Sequence, residues 1–165
     1  MQPLTQLAAQ KFLSKLIAED ALQQSILANA AALNITVPAI TSSQILLSSA
    51  PPELADKNMQ LAYPRVCIYS SGARNTQTEK FRSFSGYVAL VAEIWASANL
   101  ITQTDAWIHF YVASVANIVQ SATGDWGDGM FYSGAYDVQL QPPKVGGVGF
   151  VESAKLTFSL NVSLA

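Results

Sequence analysis

Phe150-Val151-Glu152-Ser153-Ala154-Lys155-Leu156-Thr157-Phe158-Ser159-Leu160-Asn161-Val162-Ser163-Leu164 alternates apolar and polar side chains almost without a break. On an extended chain, Phe150, Ala154, Leu156, Phe158, Leu160, Val162 and Leu164 share one face, and Ser153, Lys155, Thr157, Ser159, Asn161 and Ser163 share the other. A period of two predicts a strand with one buried and one wet face, as in an antiparallel sheet. Only Glu152 interrupts the apolar register.

Moving upstream, Pro142-Pro143 and Gly146-Gly147-Val148-Gly149 predict a loop. Met130 to Gln141 predicts another strand, with Tyr132, Tyr136, Val138 and Leu140 on one face. Trp107, Phe110, Tyr111, Ser114, Val115, Ile118 and Val119 recur at helical spacing, in a helix opened by a Thr102/Asp105 capping box and ended by Gly124. Phe84 to Ser97 is β-rich and apolar on both faces: Phe84, Val88, Leu90 and Ile94 on one, Tyr87, Val91 and Trp95 on the other. Such a strand is either covered on both sides or meets a neighbouring subunit with one of them. Val66-Cys67-Ile68-Tyr69 predicts a short strand stopped by Ser70-Ser71-Gly72, and residues 72–83 a polar loop or projecting arm.

Residues 1–58 read as helical. Leu4, Ala8, Phe12 and Leu16, flanked by Leu13 and Ile17, make one apolar face; Leu22, Ile26, Leu27, Ala30 and Leu33 make a second. Asn34 ends the second helix and Pro38 prevents its continuation. Ile45 to Leu47 predicts a short strand, and Pro51-Pro52 with Glu53 and Asp56 a loop entering one helical turn. The expected fold is α+β, one domain over residues 1–165. Its helical N-terminal part (1–58) precedes a mainly antiparallel sheet packed by a central helix (60–165).

A chain of 165 residues buries roughly 70% of its unfolded surface. Half the residues are hydrophobic and only 12% are charged, about half the usual charged fraction. That balance favours an obligate homo-oligomer. A net charge of −2 argues against a dedicated DNA binder, which carries a basic stripe. Cys67 is the only cysteine, which excludes an intrachain disulfide and a cysteine zinc cluster. No apolar run approaches the roughly 18 residues of a membrane span, and the N-terminus lacks the pattern of a signal peptide. The expectation is a protein made in the cytoplasm without membrane contact, so the sequons at Asn34 and Asn161 are chance matches.

Charge is distributed unevenly. Between Ser83 and Pro143 there is no lysine or arginine, whereas Glu93, Asp105, Asp125, Asp128 and Asp137 all lie there. Arg65, Arg74, Lys80 and Arg82 lie just upstream. The expectation is a negative face beside a basic segment, an arrangement that suits contact with another copy.

His109, the only histidine, follows Asp105 by four residues and lies off the apolar stripe of its helix. With no Gly-x-Ser-x-Gly elbow in the chain, it reads as an exposed or interface residue. Asp125-Trp126-Gly127-Asp128-Gly129 lacks the alternating oxygen ligands of a calcium loop and reads as a turn; Tyr136 stands where such a loop needs glutamate. The two glycine runs lack the Lys-Ser/Thr of a phosphate loop. Glu93 is alone in a nearly apolar strand. It admits two readings, a catalytic acid of raised pKa or, the better supported, a salt bridge to Arg65, Arg74, Lys80 or Arg82 within or between subunits. Phe81 and Phe84 among the basic residues fit either a nucleic-acid footprint or an inter-subunit arm. No cofactor or metal is expected. A small hydrolase or ligand-binding domain would need Glu93, Asp125 and Asp128 to converge on one pocket.

From Tyr63 onward, a set of short patterns follows in order: Tyr63-Pro64-Arg65-Val66, Glu79-Lys80-Phe81-Arg82-Ser83-Phe84-Ser85-Gly86 and Ala92-Glu93-Ile94-Trp95-Ala96-Ser97. They continue through Gly124-Asp125-Trp126-Gly127, Phe131-Tyr132-Ser133-Gly134-Ala135-Tyr136, Gly146-Gly147-Val148-Gly149-Phe150 and Glu152-Ser153-Ala154-Lys155-Leu156-Thr157-Phe158. Over residues 60–165 the chain thereby resembles the neck and tail-terminator proteins of tailed bacteriophages. The resemblance implies a non-enzymatic virion structural protein. Its hexameric ring would cap the tail tube, end tube polymerisation and dock the head connector, while genomic DNA passes through the lumen without specific binding. A tail-tube or head-to-tail adaptor protein is the alternative within that class. Head-to-tail contacts in a ring are heterologous. Arg65, Arg74, Lys80, Arg82 and Glu93 are therefore expected at the subunit interface, and Asp125 and Asp128 at a rim or lumen whose negative charge lets DNA slide.

Overall fold

The computed structural model describes residues 3–48 and 62–165. Its helices are α1 (Leu4–Ile17), α2 (Ala21–Leu33) and α3 (Ile101–Ser121), with short 3-10 turns at Ala18–Asp20 and Ser42–Gln44. Its strands are β1 (Ile45–Leu47), β2 (Arg65–Asn75), β3 (Phe84–Ala98), β4 (Gly124–Gly127), β5 (Met130–Leu140), β6 (Lys144–Gly146) and β7 (Gly149–Leu164). The turn expected after Pro51-Pro52 lies outside the described residues.

The alternating stretch Phe150–Leu164 becomes β7, the spine of a seven-stranded sheet ordered β1-β2-β3-β7-β5-β4, with β6 beside the start of β7. β1 runs parallel to β2, and the other pairs are antiparallel. The fold is α+β, as expected. β3 and β7 pair continuously from Phe84↔Leu164 to Ala98↔Phe150. That register puts Val88, Leu90, Ala92, Ile94, Ala154, Leu156 and Leu160 on one face, all fully buried beneath the helices. Phe12 of α1 meets Phe158 edge-on, ring centroids 4.8 Å apart, and Tyr132 meets the same ring at 4.9 Å. Such pairs add about 0.5–1.5 kcal/mol each beyond the area they bury.

The helices end where the chain reverses handedness. Glu19 and Asp20 take positive φ between α1 and α2, and Asn34 (φ 52°) ends α2 while the Ile35 N–H reaches back to the Ala30 carbonyl (3.1 Å). That is a Schellman-type end on the asparagine singled out from the sequence. α2 rides on α3 through Ser25 Oγ to the Ser114 carbonyl (3.2 Å) and Asn29 Nδ2 to Ser114 Oγ (3.1 Å). The Tyr111 hydroxyl donates to the Pro38 carbonyl (2.7 Å) and fixes the segment that follows α2.

Several local expectations are corrected. β2 does not stop at Ser70-Ser71-Gly72: a bulge between Ser70 and Gly72 absorbs the irregularity and the strand continues to Asn75, so the loop proper is 76–83. The Pro-Gly stretch before β7 is a hairpin, with β6 paired to Phe150 and Val151. The Thr102/Asp105 capping box is absent: α3 begins at Ile101 with no side-chain cap, and Thr104 Oγ1 instead donates to the Leu100 carbonyl (3.0 Å). The helix itself ends at Ser121, and Gly124 opens β4. The second face of β7 is not uniformly wet, since Val151 and Ser153 are buried on it. In β5, a bulge between Tyr132 and Tyr136 leaves Val138 and Leu140 about two-fifths exposed on the sheet edge.

Candidate assembly surfaces

The arm between β2 and β3 is a locked structure. The N–H groups of Thr76 and Gln77 both donate to the Ser85 carbonyl (2.9 Å each), and Asn75 Oδ1 accepts from the N–H groups of Gln77 (3.1 Å) and Ser85 (3.2 Å). Thr78 Oγ1 and Ser85 Oγ share a 2.7 Å bond. Glu79 Oε2 accepts from Ser163 Oγ (2.9 Å) and Arg82 Nε (3.2 Å), tying the arm to the end of β7. Arg74, Lys80 and Arg82 are exposed on this arm. At its tip Phe81 is fully exposed and holds a φ of +66°. Arg65, grouped with them in sequence, belongs elsewhere: it is only 2% exposed, its guanidinium over the rings of Tyr63 (4.6 Å) and Trp95 (5.5 Å).

Glu93 occupies the sheet face away from the helices, in the cross-strand row Cys67–Glu93–Lys155–Gln139. The cation beside Glu93 within the subunit is none of the upstream basic residues. Within the subunit Lys155 Nζ lies 4.0 Å away, and the Tyr69 hydroxyl donates to Glu93 Oε2 (3.1 Å). Tyr69 is pushed up to about 12, first by burial and then by the neighbouring Glu93 charge. Burial also pushes the Cys67 thiol up, partly offset by Arg65.

Asp128 and Gly129 form the two-residue turn from β4 to β5, with φ +55° and +70°, the left-handed pair that a tight hairpin requires. Lys11 reaches across from α1 to Asp128 (2.7 Å) and to the Trp126 carbonyl (2.8 Å). Asp125 is exposed, its Oδ1 accepting from the Gly127 N–H (2.8 Å). The acidic residues of the lysine-free stretch are thus spread over several surfaces, and Lys11 and Lys155, from outside it, fold onto two of them. A single negative face does not form. Nor do the carboxylates of the enzyme reading converge. Asp125 pairs with Phe131 three strands from β3, and its row is six residues along from that of Glu93. That separation is about 14 Å across the sheet and about 20 Å along it.

Two further features stand out, the first at the break in the apolar register of β7 and the second without a signal in the sequence. Glu152 sits on the helix-covered face, 4% exposed, with Oε2 buried and unpartnered among the described residues. Burial raises its pKa, the Asp105 charge raises it further, and His109 opposes them. The second is an apolar patch at the end of the sheet opposite the arm. Leu100 (62% exposed), Ile101, Val145 and Val148 (69%) cluster there, where Ser97 Oγ accepts from the Val148 N–H (3.1 Å) and holds the β6–β7 turn against the end of β3.

No family model matches the chain, and no curated protein matches it significantly. A chain in a solved structure described as "Virion of native gene transfer agent (GTA) particle" superposes with a TM-score of 0.47 at 14% identity, over 88% of this chain and 94% of that one.

Proposed function

We propose that this protein is a structural subunit of a tailed-phage neck or tail. It assembles head to tail into a hexameric ring that caps the tail tube and joins it to the head connector while genomic DNA passes through. The observation that carries the reading is the division of the subunit into two ends. A rigid, basic arm tipped by Phe81 stands at one end of the long strands, and the apolar patch of Leu100, Ile101, Val145 and Val148 stands at the other. The 15 residues of β3 set the two apart by about 50 Å. Exposed apolar clusters of this kind mark contact surfaces: the patch serves an adjoining layer of the particle, and the arm serves the neighbouring copy in the ring. Arg74, Lys80 and Arg82 contribute contacts to a neighbouring copy. Asp125 supplies negative charge at the rim or lumen together with Asp128, whose charge Lys11 partly offsets. The role calls for no catalysed step, and the protein resides in the virion.

Light scattering at micromolar concentration tests this directly. A closed ring of defined mass is expected, visible as such by electron microscopy. A strictly monomeric mass refutes the reading. Open-ended tubes would shift it to the tail-tube alternative, because a heterologous contact that does not close polymerises without limit.

A further inference from the structure

We infer that Phe81 is an anchor that inserts into a cleft on a second copy of this chain, where β5 bulges away from β7. The inference rests on the ring reading above and specifies the contact that closes it.

Phe81 breaks two rules of a stable surface at once. It is a large apolar side chain fully exposed to water, and its φ of +66° lies in the left-handed region that non-glycine residues avoid. Neither feature helps the isolated subunit, yet the arm is hydrogen-bonded so as to hold both in place, from Asn75 and Ser85 at its stem to Glu79 and Ser163 at its side. Fixing the backbone on either side of an exposed aromatic before contact lowers the ordering cost of an interface anchor.

The receiving cleft is an open groove of about 400 Å³ on the sheet face away from the helices, between Ala89, Ala135, Asp137, Thr157 and Ser159. The groove is open to solvent on one side and wide enough to admit a phenyl ring. Ala89 and Ala135 supply its apolar side chains, Ser133, Thr157, Ser159 and Asn161 its polar ones, and Asp137 is the only charged residue in the lining. The arm is net positive, with Arg74, Lys80 and Arg82 against Glu79. A positive arm entering a cleft with one carboxylate at its edge is electrostatically matched. The cleft between α1 and Trp126 carries Lys11 and Lys15 and would repel the arm; the one at the base of the arm is lined by the arm itself.

The test uses full-length chains carrying either Phe81→Cys or Ala135→Cys, mixed under mild oxidation. Native Cys67 is buried with its thiol pushed up, and so stays silent. Disulfide-linked dimers are expected from the mixture and not from either variant alone. Phe81→Gly is expected to weaken self-association by about 30-fold while raising the melting temperature of the dilute monomer by about 2–4 °C, because the backbone strain is relieved. Asp137→Lys should weaken association too, and Lys80→Glu in the same chain should restore it. Rings that form without the cross-link, and that tolerate Phe81→Gly with undiminished affinity, overturn this contact and leave the ring reading intact. A wild-type chain that stays monomeric overturns both.

Discussion

Replacing Glu152 by methionine should make the protein more stable at neutral pH. The carboxylate stands on the helix-covered side of β7, opposite Ala96, 4% exposed, and its Oε2 meets no partner among the described residues. An unsatisfied buried polar group costs about 1–3 kcal/mol, more when charged, and an unbranched apolar side chain of similar length removes that cost without a cavity. A gain of about 2 kcal/mol corresponds to about 4–8 °C in melting temperature for a chain of this size. The pH dependence has a definite sign. Burial holds the folded-state pKa above its unfolded value, with Asp105 adding to the shift and His109 opposing it. The wild-type group therefore favours the fold below its unfolded pKa and loses that contribution as pH rises through the folded value. The advantage of Glu152→Met should be small near about pH 4 and grow toward about pH 8, and Glu152→Gln should share the pH-dependent part. Thermal melts followed by circular dichroism at one fixed protein concentration measure it, since assembly would otherwise shift the midpoint. A methionine variant less stable than wild type at neutral pH, or an advantage that does not vary with pH, refutes the reasoning: the carboxylate would then be making a favourable interaction as an anion.

Lys11→Met should lower stability by about 1 kcal/mol, because it removes the contact to the Trp126 carbonyl and to Asp128, whose side chain is 61% exposed and screened by water; urea midpoints at low and high salt should converge on the ion-pair share of that loss. Tyr111→Phe leaves the Pro38 carbonyl without its 2.7 Å donor and should cost about 1–3 kcal/mol in the same assay. In an alkaline titration of tyrosinate absorbance, Tyr69 should deprotonate near about 12, and Glu93→Gln should move it down by removing the adjacent negative charge. Gly86→Ala would drive a methyl group into the Arg74 carbonyl at the root of the arm and should cost about 1–3 kcal/mol, read as a lowered denaturation midpoint.

Much of the fold is legible because it rests on period and punctuation. The alternation of β7, the apolar spacing of α1 and α2 and the αL stop at Asn34 are local properties, and local sterics decide them; of the turn expected over Asp125–Gly129, only Asp128-Gly129 is one, and Asp125–Gly127 belongs to β4. The misread places are those where a tertiary neighbour overrules a local signal. Ser70-Ser71-Gly72 carries every mark of a strand end, yet β3 offers a paired edge as far as Gly86, and one bulge costs less than abandoning that ladder. Thr102 and Asp105 have the spacing of a cap, but the chain leaving β3 enters the helix earlier, at Ile101. Ile108, fully buried on α3, is absent from the predicted stripe because the helix is covered by α2 as well as by the sheet, which widens its apolar arc beyond one face.

The candidate surfaces divide along the same line. That Glu93 needs a cation is readable from one carboxylate in an apolar strand; that the cation is Lys155 is not, because it depends on the register of β3 against β7, fixed over fifteen consecutive pairs by the packing of their shared buried face. The lysine-free stretch predicts a negative surface only if residues near in sequence stay near in space. A sheet ordered β1-β2-β3-β7-β5-β4 separates them instead, since β7 threads between β3 and β5 and brings Lys155 with it. The arm shows the opposite case. Its charges were visible and its rigidity was not, because the bonds that hold it come from Asn75, Ser85 and Ser163, polar side chains with no signature of their own. It is this rigidity that gives Phe81 its meaning. A fully exposed aromatic at positive φ, beside a hydrogen-bonded stem, is the observation from which the contact between copies is proposed.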